Sequence, residues 1–157
     1  MSADPPMPPR ADPARSGIGG RVGDVEISMS ADPELQVLAR LAVSVYASRF
    51  DFGVDDIEDL RLAVGELCIA CSAGATPASR LTLRFDHDRA ALRVECTVTA
   101  VESDEDEDTA NPLLGGLSPG ELSRRILAEL VDEHRIDPVA SGTRHGHIEM
   151  RRRAAGS

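Results

Sequence analysis

The sequence predicts a two-layer α/β sandwich, a mixed and mostly antiparallel sheet with helices on one face. Short segments with strict apolar–polar alternation predict the strands, and three longer segments with apolar residues at three- and four-residue spacing predict the helices. Their order is strand, helix, helix, strand, strand, loop, helix, strand, strand. A doubly wound parallel sheet would need more strand–helix–strand crossovers than this order contains.

Residues 1–22 carry Pro5, Pro6, Pro8, Pro9 and Pro13 with little to bury, and are expected to form a disordered leader. From Gly23 to Ser30, Val25, Ile27 and Met29 alternate with Glu26, Ser28 and Ser30 as in a half-buried strand. Asp32-Pro33-Glu34 starts the first helix with a capping carboxylate and a first-turn proline. Leu38, Leu41, Ala42, Val45 and Arg49 share one of its faces, Gln36, Arg40 and Ser44 another, and it should reach about Phe50. The second helix begins near Asp55 or Asp56, with Ile57, Leu60, Val64, Leu67 and Cys71 as its core stripe. Beside that stripe run Asp59, Leu62, Ala63, Glu66 and Ala70, so Glu66 sits among small apolar neighbours. Gly74 and Pro77 end the helix. Leu81, Leu83 and Phe85, then Leu92, Val94, Cys96 and Val98, make a hairpin about Asp86-His87-Asp88-Arg89.

Between Val101 and Ser118 the pattern collapses, with six acids from Glu102 to Asp108, and a mobile acidic loop is expected. Ser118-Pro119-Gly120-Glu121 restarts a helix with a capping box. Leu122, Ile126 and Leu130 line its inner face, with Leu127 and Val131 beside them. His134–Ala140 and His147–Arg151 read as closing strands. The ordered domain is thus expected over 23–152, with 153–157 as a tail.

Composition excludes several functions. The 157 residues carry a formal charge of −10, and all 17 basic residues are arginine. No lysine is available as a phosphate ligand, Schiff base or general base. One Tyr, three Phe and no Trp make a base-stacking surface for nucleic acid improbable, and the acidic balance opposes phosphate-backbone binding. No apolar run approaches the ~20 residues of a membrane span, nothing resembles a signal peptide, and three cysteines make no secreted disulfide framework. A cytoplasmic protein with reduced thiols is expected. Cys68-x-x-Cys71 reads as core packing, since both fall on the buried side of a helix and no second pair exists. Redox control through that pair is the less favoured reading, because a disulfide at that spacing would strain the helix. His145-x-His147 lacks a third ligand for a metal. Asp104 to Asp108 could steer a basic partner surface.

The run Val54-Asp55-Asp56-Ile57-Glu58-Asp59-Leu60-Arg61-Leu62-Ala63-Val64-Gly65-Glu66-Leu67-Cys68 resembles the second helix of the GHKL (histidine-kinase-like) ATPase fold. The segment from Leu122 to Asp132 is similar to that fold's last helix. The likeness is strongest to bacterial anti-sigma factors that also act as serine kinases, in a divergent actinobacterial form. It implies that Glu66 is the general base that would take the proton of an attacking serine hydroxyl. One turn later the family has an asparagine for Mg²⁺, where this chain has Ala70. The family's adenine-recognising Asp-x-Gly-x-Gly has no counterpart after Thr97-Val98-Thr99-Ala100. Gly115 and Gly116 remain of its phosphate loop, and its late Gly-Thr pair falls on Gly146-His147.

ATP brings about four negative charges toward that acidic segment, so weak or absent nucleotide binding is expected. The resemblance therefore implies an anti-sigma factor with a degenerate ATP site and no working cofactor. It would sequester a stress-type sigma factor, be countered by an anti-anti-sigma protein, and form a homodimer. The alternative is an active kinase using Glu66, ATP and Mg²⁺, with Asp59 or acids near Glu102 as substitute metal ligands.

Overall fold

The computed structural model describes residues 25–102 and 112–153. The expected leader, most of the acidic segment and the last four residues lie outside them. Five strands, β1 (Val25–Ser30), β2 (Arg80–His87), β3 (Ala91–Thr99), β4 (Glu133–Ile136) and β5 (Thr143–Arg151), form one sheet in the order β1-β2-β3-β5-β4. Every pairing is antiparallel, in line with the mostly antiparallel sheet that the sequence predicts. Helices α1 (Gln36–Ala47), α2 (Val54–Cys71) and α3 (Pro119–Leu130) supply the second layer.

Alternation sets the register. Leu83 lies opposite Cys96 and Phe85 opposite Val94, and Val94 in turn faces Ile148, all buried. The intervening Arg84, Arg93, Glu95, Thr97, His145, His147 and Glu149 fall on the other face. There Arg93 gathers three carboxylates: Asp88 at 2.6 Å, Glu149 at 2.8 Å and Asp86 at 3.4 Å. The Arg93 hydrogen bond, with backbone donation from Ala90 and Ala91, holds the Asp88 carboxyl down to about 2. Because the folded-state value lies below the unfolded one, Asp88's contribution is present above about pH 4 and disappears as pH falls through about 2. Urea midpoints between these limits should fall less steeply in Asp88→Asn than in the parent. Equal slopes would show that Arg93 gains nothing from Asp88.

The first helix differs from its expected form. Asp32 Oδ1 accepts the Glu34 amide at 2.9 Å, but Pro33–Leu35 form a 3-10 turn, and α1 follows and ends at Ala47. Its buried residues are Gln36, Ala39, Val43, Tyr46 and Ala47. The larger stripe, Leu38, Leu41 and Val45, is 47–67% exposed. Small Ala39, Val43 and Ala47 present the face that can approach the core closely. Arg40 lies along α2, where a Cβ on Gly65 would stand 2.7 Å from its Nε.

In α2, Leu60, Val64, Leu67 and Cys71 are fully buried as expected, and Gly74 follows the helix at φ 75°. The α3 capping box forms as its sequence prescribes, with Ser118 Oγ accepting the Glu121 amide and the Glu121 carboxylate accepting the Ser118 amide. The helix is rotated from expectation: Ser123 and Leu127 are buried, while Leu122, Ile126 and Leu130 are half-buried. β5 begins four residues earlier than the alternation indicates, because Ser141 (φ 52°) and Gly142 (φ 72°) make a tight turn between Ala140 and Thr143.

The three cysteines are free and buried together. Hydrogen bonding to Cys68 and Cys71, with burial, pushes the Cys96 thiol well up. All three thiols are core groups.

Candidate functional site

Glu66 sits on α2, half-buried where that helix packs against α3. Ser123, 2% exposed on α3, donates its hydroxyl to Glu66 Oε2 at 2.7 Å. The carboxylate is therefore held in place by a hydroxyl from a residue 57 positions away.

One turn beyond Glu66, Ala70 is fully buried and has no side-chain oxygen. Its carbonyl accepts from Arg144 Nη1 at 3.3 Å, and the Ala73 carbonyl accepts from the same atom at 2.7 Å. Arg144, 1% exposed, thus caps the C-terminus of α2, where a cation suits both the orphan carbonyls and the helix dipole.

Gly115 and Gly116 lie in a turn between the 3-10 segment Pro112–Leu114 and the α3 cap, at φ 68° and 83°. Nothing stands within 4 Å of where their Cβ atoms would be. Glu66 is thus joined to α3 through Ser123, while Gly115 and Gly116 precede the Ser118 cap of that helix in the chain.

The expected glycine pair needs correction. Gly146 is mid-strand opposite Cys96, with its inner face against Cys71, Ile136 and Leu67, so Gly146-His147 faces no site at the strand's end. Gly142-Thr143 occupies that end instead: Thr143 pairs with Thr99, and the Gly142 carbonyl accepts the Val101 amide at 2.9 Å. The Gly-Thr dipeptide itself was the signal for this placement. Beside it Ala100 takes φ 59°, a left-handed conformation uncommon for a residue with a Cβ, and Ser79 Oγ donates to its carbonyl at 2.9 Å.

The remaining candidates are dispersed. His145 Nδ1 lies 3.1 Å from Thr97 Oγ1 on the open sheet face, and His147 stands opposite Glu95. Among the described residues, no group of three His, Cys, Asp or Glu side chains is arranged to hold a metal ion. Asp59 reaches Arg153 at 3.9 Å. No helix among them is long and apolar enough to cross a membrane.

A layer of three helices on an antiparallel sheet, with a glutamate on the second helix and a glycine turn before the third, is an α/β arrangement consistent with an ATPase-like domain. The profile of the histidine kinase-like ATPase domain matches residues 29–151, and the chain belongs to that family. Among curated relatives, it is 29% identical over 138 residues to the anti-sigma-F factor RsbW of Mycobacterium tuberculosis, covering 85% of this chain and 76% of that protein. It is also 29% identical over 122 residues to the serine-protein kinase RsbW of Bacillus subtilis, covering 71% and 76%.

Proposed function

We propose that this chain is a cytoplasmic anti-sigma factor that sequesters a sigma factor and is released by an anti-anti-sigma protein. The observation that carries the reading is the similarity to the mycobacterial anti-sigma-F factor over 85% of the chain. Sequestration requires only a stable, complementary surface and none of the groups that phosphoryl transfer needs.

In this proposal, the exposed apolar stripe of α1 serves a homodimer. Among the described residues β1 is one edge of the sheet, and its Val25 lines a groove with Leu41 and Val45 of α1. An antiparallel strand can pair with its own copy about a twofold axis, satisfying its edge amides while both stripes are buried.

We further propose that the nucleotide site is degenerate. Ala70 contributes no metal-ligating side chain, and its carbonyl is engaged by Arg144. Glu66 is occupied by Ser123, and the end of β3 carries Thr99 and Ala100 instead of a carboxylate. These residues do not fit Mg-ATP, and no phosphoryl-transfer step follows from them. The alternative, an active serine kinase, draws on the oriented Glu66 carboxylate and the Gly142-Thr143 pair at the end of β3.

Purification of tagged protein from its host, with cross-linking, should recover a sigma factor together with a small antagonist; recovering neither would refute the reading. Calorimetry with Mg-ATP should show no micromolar binding. Micromolar binding lost in Glu66→Ala or with EDTA would establish the kinase.

A further inference from the structure

At the opposite end of the sheet, where the β2–β3 hairpin turns, lies a cleft of about 420 Å³. It is separated from Thr99 by the length of β3, about 26 Å at the usual rise per residue. The chain has only four aromatic residues, and all of them meet here. Phe50 and Phe52 line the cleft, and Tyr46 packs on Phe50 at 5.0 Å and on Phe85 at 5.7 Å between ring centroids. The fifth ring is His87, stacked on Phe50 with centroids 3.4 Å apart and fixed by a 3.0 Å hydrogen bond between its Nδ1 and the Tyr46 hydroxyl. Phe50, Phe52 and His87 give the cleft an aromatic lining, which Tyr46 and Phe85 back from within the core.

The rim is cationic. Arg49, Arg89 and Arg152 line it, facing two carboxylates, Asp51 and Asp88. Both acids already have partners: Asp51 pairs with Arg152 at 3.7 Å, and Asp88 with Arg93 at 2.6 Å. Arg49 and Arg89 have no carboxylate partner among the described residues. In a chain of formal charge −10, two guanidinium groups with no carboxylate partner among the described residues, beside aromatic rings, form a local anion-attracting site.

We propose that this cleft binds a small planar organic anion, an aromatic or heteroaromatic ring bearing a carboxylate or phosphate. The ring lies against Phe50 and Phe52 while Arg49 and Arg89 hold the anionic group, a geometry guanidinium forks suit better than point charges. Arg49 also borders, with Tyr46, the groove beside the exposed α1 stripe, so the cleft and that groove share one arginine.

The test is an amide NMR titration of the whole chain with benzoate, AMP and inorganic phosphate. Benzoate or AMP should shift the amides of residues 49–52, 87–91 and Arg152 saturably, and inorganic phosphate alone should bind at least tenfold more weakly. Binding of one ring compound without the other identifies the anionic group and supports the proposal. In the Arg49→Glu, Arg89→Glu variant, both changes fall on exposed side chains, so the rest of the spectrum should persist while affinity drops tenfold or more. Equal affinity for inorganic phosphate would reduce the cleft to an unspecific charge patch and overturn the proposal. So would shifts confined to the surroundings of Glu66 and Ser118, or none at millimolar concentrations.

Discussion

The Leu41→Glu, Val45→Glu double variant is expected to run as a monomer under conditions in which the parent is a dimer, with dimer affinity reduced a hundredfold or more. Both side chains are more than half exposed in the isolated chain. Their loss should therefore cost the fold little, within about 0.5 kcal/mol. In the proposed dimer they meet their twofold copies, so four carboxylates would be brought together out of water. A hundredfold change corresponds to about 2.7 kcal/mol, modest for such an arrangement. Light scattering measures the mass, and urea unfolding of the monomeric variant measures the fold. Unchanged dimerisation would move the interface off α1, and a large loss of stability would show that the stripe has a role inside the protomer.

Gly146→Val is expected to unfold the domain at ordinary temperatures or to cost about 3 kcal/mol, at the upper end for overpacking. A Cβ at this position would stand 2.5 Å from Cys71 Sγ, 2.9 Å from Ile136 Cδ1 and 3.0 Å from Leu67 Cδ1. The strand cannot retreat, because β5 is held on both sides, by β3 and by β4. Gly146→Ala should show the same effect at smaller size, and Cys71→Ala should recover part of it by removing the sulfur. Urea midpoints of the two single variants and the double give the coupling directly. Simple additivity would mean that the sheet relaxes elsewhere and that Cys71 does not set the spacing.

What was legible in the sequence followed from local periodicity. The β2–β3 hairpin was readable because each strand has one buried face, so a single reading places every side chain. The α3 start was readable because a capping box is a local device that forms as written. Helix α1 misled because both of its faces are apolar: Leu38, Leu41 and Val45 outweigh Ala39, Val43 and Ala47 on any hydropathy count, yet close packing selects the small residues. The site was partly legible. Glu66 could be singled out from its apolar neighbours, but its partner Ser123 is brought to it only by helix packing. Arg144 was one arginine among 17, and nothing local marks it as the buried cation that closes α2. Gly142-Thr143 does not stand out locally, because clear apolar–polar alternation starts only at His147 and makes Gly146 look like a strand boundary.

The junction of Tyr46 with His87 and Phe50 has a practical consequence. With no tryptophan and a single tyrosine, the chain has one intrinsic emitter, located where α1 meets the hairpin. Its phenol is tied to an imidazole, so emission intensity follows whatever disturbs that contact. A spectrum of the unlabelled protein will therefore respond to events on α1 and in the neighbouring cleft. The surroundings of Glu66 carry no fluorophore of their own, so an added nucleotide that alters the tyrosine signal must either bind at the hairpin end or act on it through the length of the sheet.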